Sequence, residues 1–324
     1  MVQLRRFLLI ILFTIAALPS CKKETPLPAD EGDFIIAGYL PYWGMEDVDF
    51  TIIQHLDILY FFSIAPDENG NFEVAPGIID DINILKALID ASHTKLFIVV
   101  GGWYESETIF PMALDQAKRA AYISDLVNFC KQNGIDGVDL DWEGYPVSIV
   151  DSDHLRLVED LSYALHGNGL DFTVAMMLSK YDLSAQMLNY VDYINVMGYE
   201  SFDNEGNHMP MSMFEDYLGK FTNAGVYPGK IIMGVPYFGR RPYVEGDTSP
   251  RYLTYRAIVN AISPAPSVNR YGLYAFNGID LVVQKTGYLL SGNYAGIMAW
   301  ELSQDVDYNS AYSLTRAIVN KAGK

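Results

Sequence analysis

The sequence predicts an α/β fold, one (β/α)8 barrel over residues 33–324, on three observations. From residue 33 onward, short apolar runs alternate with longer amphipathic stretches, the rhythm of strands and crossover helices in a parallel sheet. Eight such runs are present. The fourth ends in acids at every second position, Asp139, Asp141 and Glu143, and barrels of this class carry their catalytic side chains at the carboxyl ends of strands. A chain of 324 residues that is 50% hydrophobic can bury the core that such a barrel, typically about 250 residues, requires.

In chain order, strands are expected near residues 34–40, 57–63, 95–101, 135–141, 171–177, 191–197, 230–236 and 294–299. The clearest helical periods fall at 79–92, 112–132, 152–166, 211–224 and 308–321. The interval from Arg240 to Asn293 is longer than one helix and its loops need, so additional structure is expected between the last two strands. No repeat is visible beyond the strand–helix rhythm.

Ahead of the barrel, Arg5 and Arg6 precede an apolar run at 7–18 that is too short to span a bilayer and has no polar face. Residues 1–20 therefore read as a signal peptide, and the protein as exported. Leu18-Pro19-Ser20-Cys21 resembles a bacterial lipobox, which implies lipidation of Cys21 and a cell-envelope lipoprotein of the outer membrane. The rest of the segment 21–32 combines charges with two prolines and has no apolar period, as a tether would. Cys130, left without a disulfide partner, is expected as apolar filling on the helix before the acidic strand.

Lys and Arg number 22 against 40 Asp and Glu, a formal net charge of −18. Such a chain repels nucleic acid and anionic membrane surfaces, so membrane contact is expected only through the lipid anchor. A neutral glycan is indifferent to the sign. The five histidines, His55, His93, His154, His166 and His208, are dispersed without metal-ligand spacing, and neither a phosphate-binding glycine loop nor a GxSxG nucleophile turn occurs. No metal and no cofactor are expected.

The acidic run carries the chemistry. Side chains two apart on a strand share a face, roughly 6–7 Å from one another, so Asp139, Asp141 and Glu143 form one inward ladder. Like charges this close cannot all ionise, and at least one proton is held near neutral pH, as a general acid requires. A solvated acidic turn would not interleave its carboxylates with Val138, Leu140 and Trp142. A calcium loop beginning at Asp136 would need Gly at its sixth position and Glu at its twelfth, and has neither.

Asp136-Gly-Val-Asp139-Leu-Asp141-Trp-Glu143, a DxxDxDxE pattern, resembles the signature of glycoside hydrolase family 18, which contains chitinases and endo-β-N-acetylglucosaminidases. The resemblance extends over roughly residues 34–305. Tyr193-Ile-Asn195-Val-Met197-Gly-Tyr199-Glu200 is similar to the family's NVMTYD, with Glu200 in place of Asp. Gly296-Ile-Met-Ala-Trp300-Glu301 matches the last strand, and Ile36-Ala-Gly38-Tyr39 and Leu59-Tyr60-Phe61-Phe62 match the first two. Phe97-Ile-Val99-Val100-Gly101-Gly102-Trp103 resembles SxGGW with Val99 in place of Ser. Gly234-Val-Pro236-Tyr237-Phe238-Gly-Arg240 resembles GvPfYGR with its two aromatics transposed.

The resemblance implies roles. Glu143 is the general acid, Asp141 orients the substrate's acetamido group, Asp139 shares a proton with it, and Tyr199 holds the acetamido oxygen. Tyr39, Phe62, Gly101, Gly102, Trp103, Met197, Glu200, Tyr237 and Trp300 are expected to line the sugar site, whereas Tyr60 and Phe61 are expected in the core. Asp136 is expected to brace its strand. With Val99 in place of the family's Ser, Asp139 loses a hydrogen-bond donor and must rely on Tyr39. A reduced insertion before the last strand implies an open groove. The implied activity is retaining hydrolysis of β-1,4 linkages after N-acetylglucosamine in chitin-like glycans. Two alternatives stay open: cleavage of the chitobiose core of N-glycans, and glycan binding without hydrolysis, which the presence of Glu143 disfavours and Val99 keeps alive.

Overall fold

The computed structural model describes residues 33–89, 92–143, 151–199, 201–242 and 250–324, with positions 245 and 248. The expected signal peptide, lipidated Cys21 and tether lie outside these residues. Seven parallel strands come first: β1 (Ile35–Pro41), β2 (Ile58–Ile64), β3 (Lys95–Gly101), β4 (Gly137–Asp141), β5 (Asp171–Met176), β6 (Tyr193–Val196) and β7 (Ile231–Pro236). Four short strands then make a separate antiparallel sheet: β8 (Phe238–Arg240), β9 (Tyr252–Thr254), β10 (Arg270–Tyr271) and β11 (Tyr274–Ala275), in the order β10-β11-β8-β9. The last strand, β12 (Gly296–Trp300), inserts between β7 and β1 and closes an eight-stranded barrel. All eight expected strands are present.

Helices α1 (Ile78–Ile89), α2 (Ser106–Leu114), α3 (Gln116–Asn133), α4 (Asp151–His166), α5 (Tyr181–Met187), α6 (Met211–Asn223), α7 (Tyr255–Ile262), α8 (Ile279–Ser291) and α9 (Leu314–Ala322) accompany them. The single helix expected at 112–132 is divided, because the Asp115 side chain accepts the N–H groups of Ala117 and Lys118 and starts a new helix there. The last helix begins later than expected, at Leu314, where the Ser313 hydroxyl caps the N–H of Arg316. Three helices had no sequence expectation: α5, α7 and α8. The interval before the last barrel strand is filled by the small sheet and by α7 and α8, a modest insertion as expected.

Both faces of the barrel strands are buried, which is why they read as continuous apolar runs rather than alternations. Residues of one parity, among them Leu59, Phe61, Ile98, Val100, Val138 and Leu140, pack outward under the helices. Those of the other parity, Tyr39, Tyr60, Phe62, Phe97, Val99, Ile232 and Met298 among them, fill the barrel. Cys130 on α3 is buried in the outer layer, where burial pushes its thiol up to about 12.

Three aspartates fasten the amino-terminal end of the barrel in the same way. Asp57, Asp136 and Asp192 each stand one residue before an even-numbered strand, β2, β4 or β6. Their carboxylates accept the N–H of Ile36, Leu96 and Phe172 at 2.7, 2.8 and 2.7 Å on the preceding strand. Each also returns its own N–H to the carbonyl of that residue. Asp136 thus braces its strand, as expected, and is set apart from the three acids above it. Lys324 Nζ reaches both carboxylate oxygens of Asp57 at 2.7 Å and ties the last residue to the same end.

Candidate active site

The opposite, carboxyl-terminal end of the barrel carries the acids. Val138, Leu140 and Trp142 turn outward, with Trp142 edge-on to Phe110, and this fixes the other parity inward. Asp139 and Asp141 are buried, and Glu143, just past the end of β4, is half-buried. The main chain of Glu143 is held by Ser106 at the start of α2: the N–H of Glu143 donates to the Ser106 hydroxyl at 2.8 Å, and that hydroxyl donates to the Gly102 carbonyl at 2.7 Å.

Asp139 accepts three hydrogen bonds. The Tyr39 hydroxyl donates to Oδ2 at 2.8 Å, while the Thr173 hydroxyl at 2.5 Å and Asn195 Nδ2 at 3.0 Å donate to Oδ1. Asn195 in turn accepts from the Tyr60 hydroxyl at 3.3 Å, so Tyr60, expected as plain packing, belongs to this network. Phe61 packs outward, as expected. Burial raises the Asp139 carboxyl to about 6 even against these donors. Asp141 lies well above the usual carboxylate range, first through burial and then through the charges of Glu143, Asp139 and Glu105. Its Oδ1 is buried with no hydrogen-bond partner among the described residues. Glu105, half-buried beside Gly102, was not anticipated; no recurring spacing links it to the ladder.

The sequence-predicted aromatics converge here. Tyr39 stacks on Tyr60 at 4.6 Å and meets Trp300 at 5.5 Å, and Trp300 is edge-on to Phe62 at 4.9 Å. Met197 and Tyr199 belong to the same interior cluster. Gly234 on β7 makes room for Tyr199 and for Met298 of β12: a Cβ there would stand 2.6 Å from Met298 and 2.9 Å from the Tyr199 ring. Exposed Trp43, edge-on to Phe62 at 5.7 Å, continues the aromatic row outward and was missed, although it stands only two residues past the first strand.

Gly101 and Gly102 have φ of +107° and +120°. A Cβ on Gly101 would sit 2.2 Å from the Asp141 carbonyl, and one on Gly102 would sit 2.4 Å from the Phe62 ring. The pair lets β3 turn tightly over the end of β4, with the Gly102 N–H donating to the Asp141 carbonyl at 2.8 Å. Trp103, next along, is 60% exposed at the rim.

One residue expected to line the site does not do so. Tyr237 faces the outer layer, and its hydroxyl lies 3.0 Å from the Thr315 hydroxyl on α9. Parity explains this: Met233 and Val235 on β7 turn outward, and Tyr237 continues their row. Phe238 turns inward instead, with its ring 6.3 Å from that of Tyr199. Glu200 lies outside the described residues. Among the described residues, no group of three or more His, Cys, Asp or Glu side chains could hold a metal ion.

Residues 35–305 match the family model for Glycosyl hydrolases family 18. The chain is 26% identical over 280 residues to an endochitinase of Manduca sexta, covering 75% of this chain and 50% of that protein. It spans half or less of the length of the first curated relatives it matches. Among solved structures it is similar to the GH18 chitinase ChiB from the chitin utilization locus of Flavobacterium johnsoniae (TM-score 0.77, 22% identity, 90% of this chain and 94% of that one). A chitinase from Bacteroides thetaiotaomicron is similar too (TM-score 0.76, 20% identity, 90% and 96%). At such identities the structural likeness speaks for the barrel alone, whereas the family model spans most of the chain, including the whole acidic ladder. This protein belongs to family 18 of the glycosyl hydrolases.

Proposed function

We propose that this protein hydrolyses β-1,4 linkages after N-acetylglucosamine in chitin-like glycans, with retention of configuration and with the substrate's own acetamido group as nucleophile. The observation that carries this reading is the state of the ladder. Its deepest acid accepts three hydrogen bonds, its middle acid keeps a buried oxygen without a partner among the described residues, and its outermost acid is half-exposed.

Each state suits one task. Asp141, pushed toward its protonated form by burial and by neighbouring charges, can orient the acetamido N–H and offset the positive charge that develops there. Asp139, held by Tyr39, Thr173 and Asn195, can take part of the Asp141 proton as that happens. Glu143, at the rim, protonates the glycosidic oxygen as the leaving sugar departs and then activates water. The acetamido carbonyl attacks the anomeric carbon to give an oxazolinium ion, an alternative to the usual pair of carboxylates. Tyr199 holds that carbonyl, and Trp300 with Tyr39 and Phe62 supplies an apolar floor for the sugar ring. We further propose, on the sequence motif at Cys21, that the barrel is displayed from the cell envelope on a lipid anchor.

The test is hydrolysis of chitotetraose by wild type and by Glu143→Gln, with the anomer of the first product read by proton NMR and an N-glycoprotein assayed in parallel. Cleavage with β-anomer formed first, lost in the variant, is expected. Release of glycan from the glycoprotein alone would move the substrate class to the chitobiose core. Cleavage of neither would leave glycan binding as the function.

A further inference from the structure

The family resemblance leaves Asp139 without the β3 hydroxyl that Val99 replaces, yet its carboxylate does not lack donors. Val99, Asp139 and Thr173 occupy one register row on β3, β4 and β5. In-register residues on neighbouring strands point to the same side, so Val99 and Thr173 flank Asp139 from left and right inside the barrel. Both are fully buried. Val99 can offer only methyl groups, while the Thr173 hydroxyl donates to Asp139 Oδ1 at 2.5 Å. Outward residues of β5, Phe172, Val174 and Met176, are all apolar. Thr173 is thus a hydroxyl where the strand's outer face has none.

We propose that Thr173 is the positioning residue that keeps Asp139 ionised and aimed, its hydroxyl having taken over from the opposite flank of β4 the donor role that Val99 cannot fill. The proposal rests on the reading of Asp139 as the proton-sharing partner of Asp141. Thr173 acts through Asp139 and does not touch the sugar. The titratable groups facing Asp139 are Tyr39 on β1, Tyr60 on β2 and Asp141 above it on β4, while Tyr193 and Tyr199 face Tyr60 and Tyr39 in turn. Val99 on β3 and Thr173 on β5 do not titrate. Tyr39 and Tyr60 are both raised by burial first, which keeps them neutral donors in the working range. Asp139 and Asp141 are therefore the inner groups whose protonation can change when the Thr173 hydroxyl is removed.

The experiment compares wild type with Thr173→Val, Thr173→Ser and the exchange variant Val99→Ser/Thr173→Val. Kinetics on chitotetraose across pH are combined with carbon-13 titration of the aspartate carboxyls, with Asp139→Asn providing the assignment. A hydrogen bond to a charged group corresponds to a shift of about one pK unit or more. Thr173→Val, which keeps the side-chain shape, should move the Asp139 titration and the acid limb of kcat up by about one unit. It should lower kcat by roughly tenfold and leave KM within about twofold, as expected for a group that does not bind substrate. Thr173→Ser should stay near wild type, and the exchange variant should recover most of both effects.

An unmoved Asp139 titration in Thr173→Val would overturn the proposal, as would a loss expressed in KM or one that the exchange variant fails to restore. If Thr173→Val does not fold, Thr173→Ala with the same titration replaces it. The NMR arm also separates this inference from the proposed function. Wild type inactive on chitotetraose, with the Asp139 titration still shifted by Thr173→Val, would refute the hydrolase reading and keep the Thr173–Asp139 linkage.

Discussion

Replacing Asp139 by Asn should abolish turnover and yet stabilise the protein at neutral pH. The Asp139 carboxyl is wholly buried, and its folded-state value of about 6 is set by that burial against three donors. In the unfolded chain an Asp titrates near ~3.9. Between these two values the folded chain holds a proton that the unfolded chain has released, so stability falls as pH rises through the window. A difference of roughly two units, at about 1.4 kcal/mol each, makes about 3 kcal/mol, a cost fully present above about pH 6. Asp141 is raised as well, first through burial and then through the charges of Glu143, Asp139 and Glu105. The substituted amide does not titrate, while its oxygen can still accept from Thr173 and Asn195. Urea unfolding at 25 °C followed by tryptophan fluorescence between pH 4 and 8 provides the assay. The advantage of Asp139→Asn over wild type should grow by about 3 kcal/mol from pH 4 to pH 7. A flat difference, or one that grows toward acid pH, would refute the argument that burial governs this carboxyl.

Glu143→Gln should lower kcat by about 10²- to 10⁴-fold while chitotetraose binding, measured by calorimetry, persists. Gly101→Ala should cost about 2–4 kcal/mol in chemical unfolding, because its Cβ would meet the Asp141 carbonyl at 2.2 Å from a backbone with φ of +107°; an unchanged midpoint would contradict the close turn. Tyr237→Phe should lose about 1 kcal/mol of stability through its contact with Thr315 and leave kcat and KM as they are. A raised KM in that variant would return Tyr237 to the sugar site.

The barrel was legible because its eight strands are covered on both sides and therefore stand out as unbroken apolar runs. The ladder was legible because acids cannot recur at every second position of such a run without a reason. What escaped was local. The division of the helix before β4 depends on one side chain, Asp115, whose capping role looks in sequence like any surface acid. The misassigned Tyr237 followed a motif with transposed aromatics, although strand parity alone, counted from inward Ile232, would have chosen Phe238. Thr173 was passed over for a similar reason: only the register of β5 against β4 shows that its hydroxyl faces Asp139. Glu105 approaches Asp141 through the turn made by two glycines, and no linear pattern announces such a meeting.

The paired bonds that Asp57, Asp136 and Asp192 make with the strands before them have a bearing on how this barrel can change. They hold the shell at the floor, a full strand length from the mouth where the acidic ladder ends. Loops around the mouth can thus be lengthened, trimmed or recharged by evolution or by an engineer while the anchorage below stays untouched. Selectivity and durability occupy opposite poles of the same cylinder, and each can drift without consulting the other.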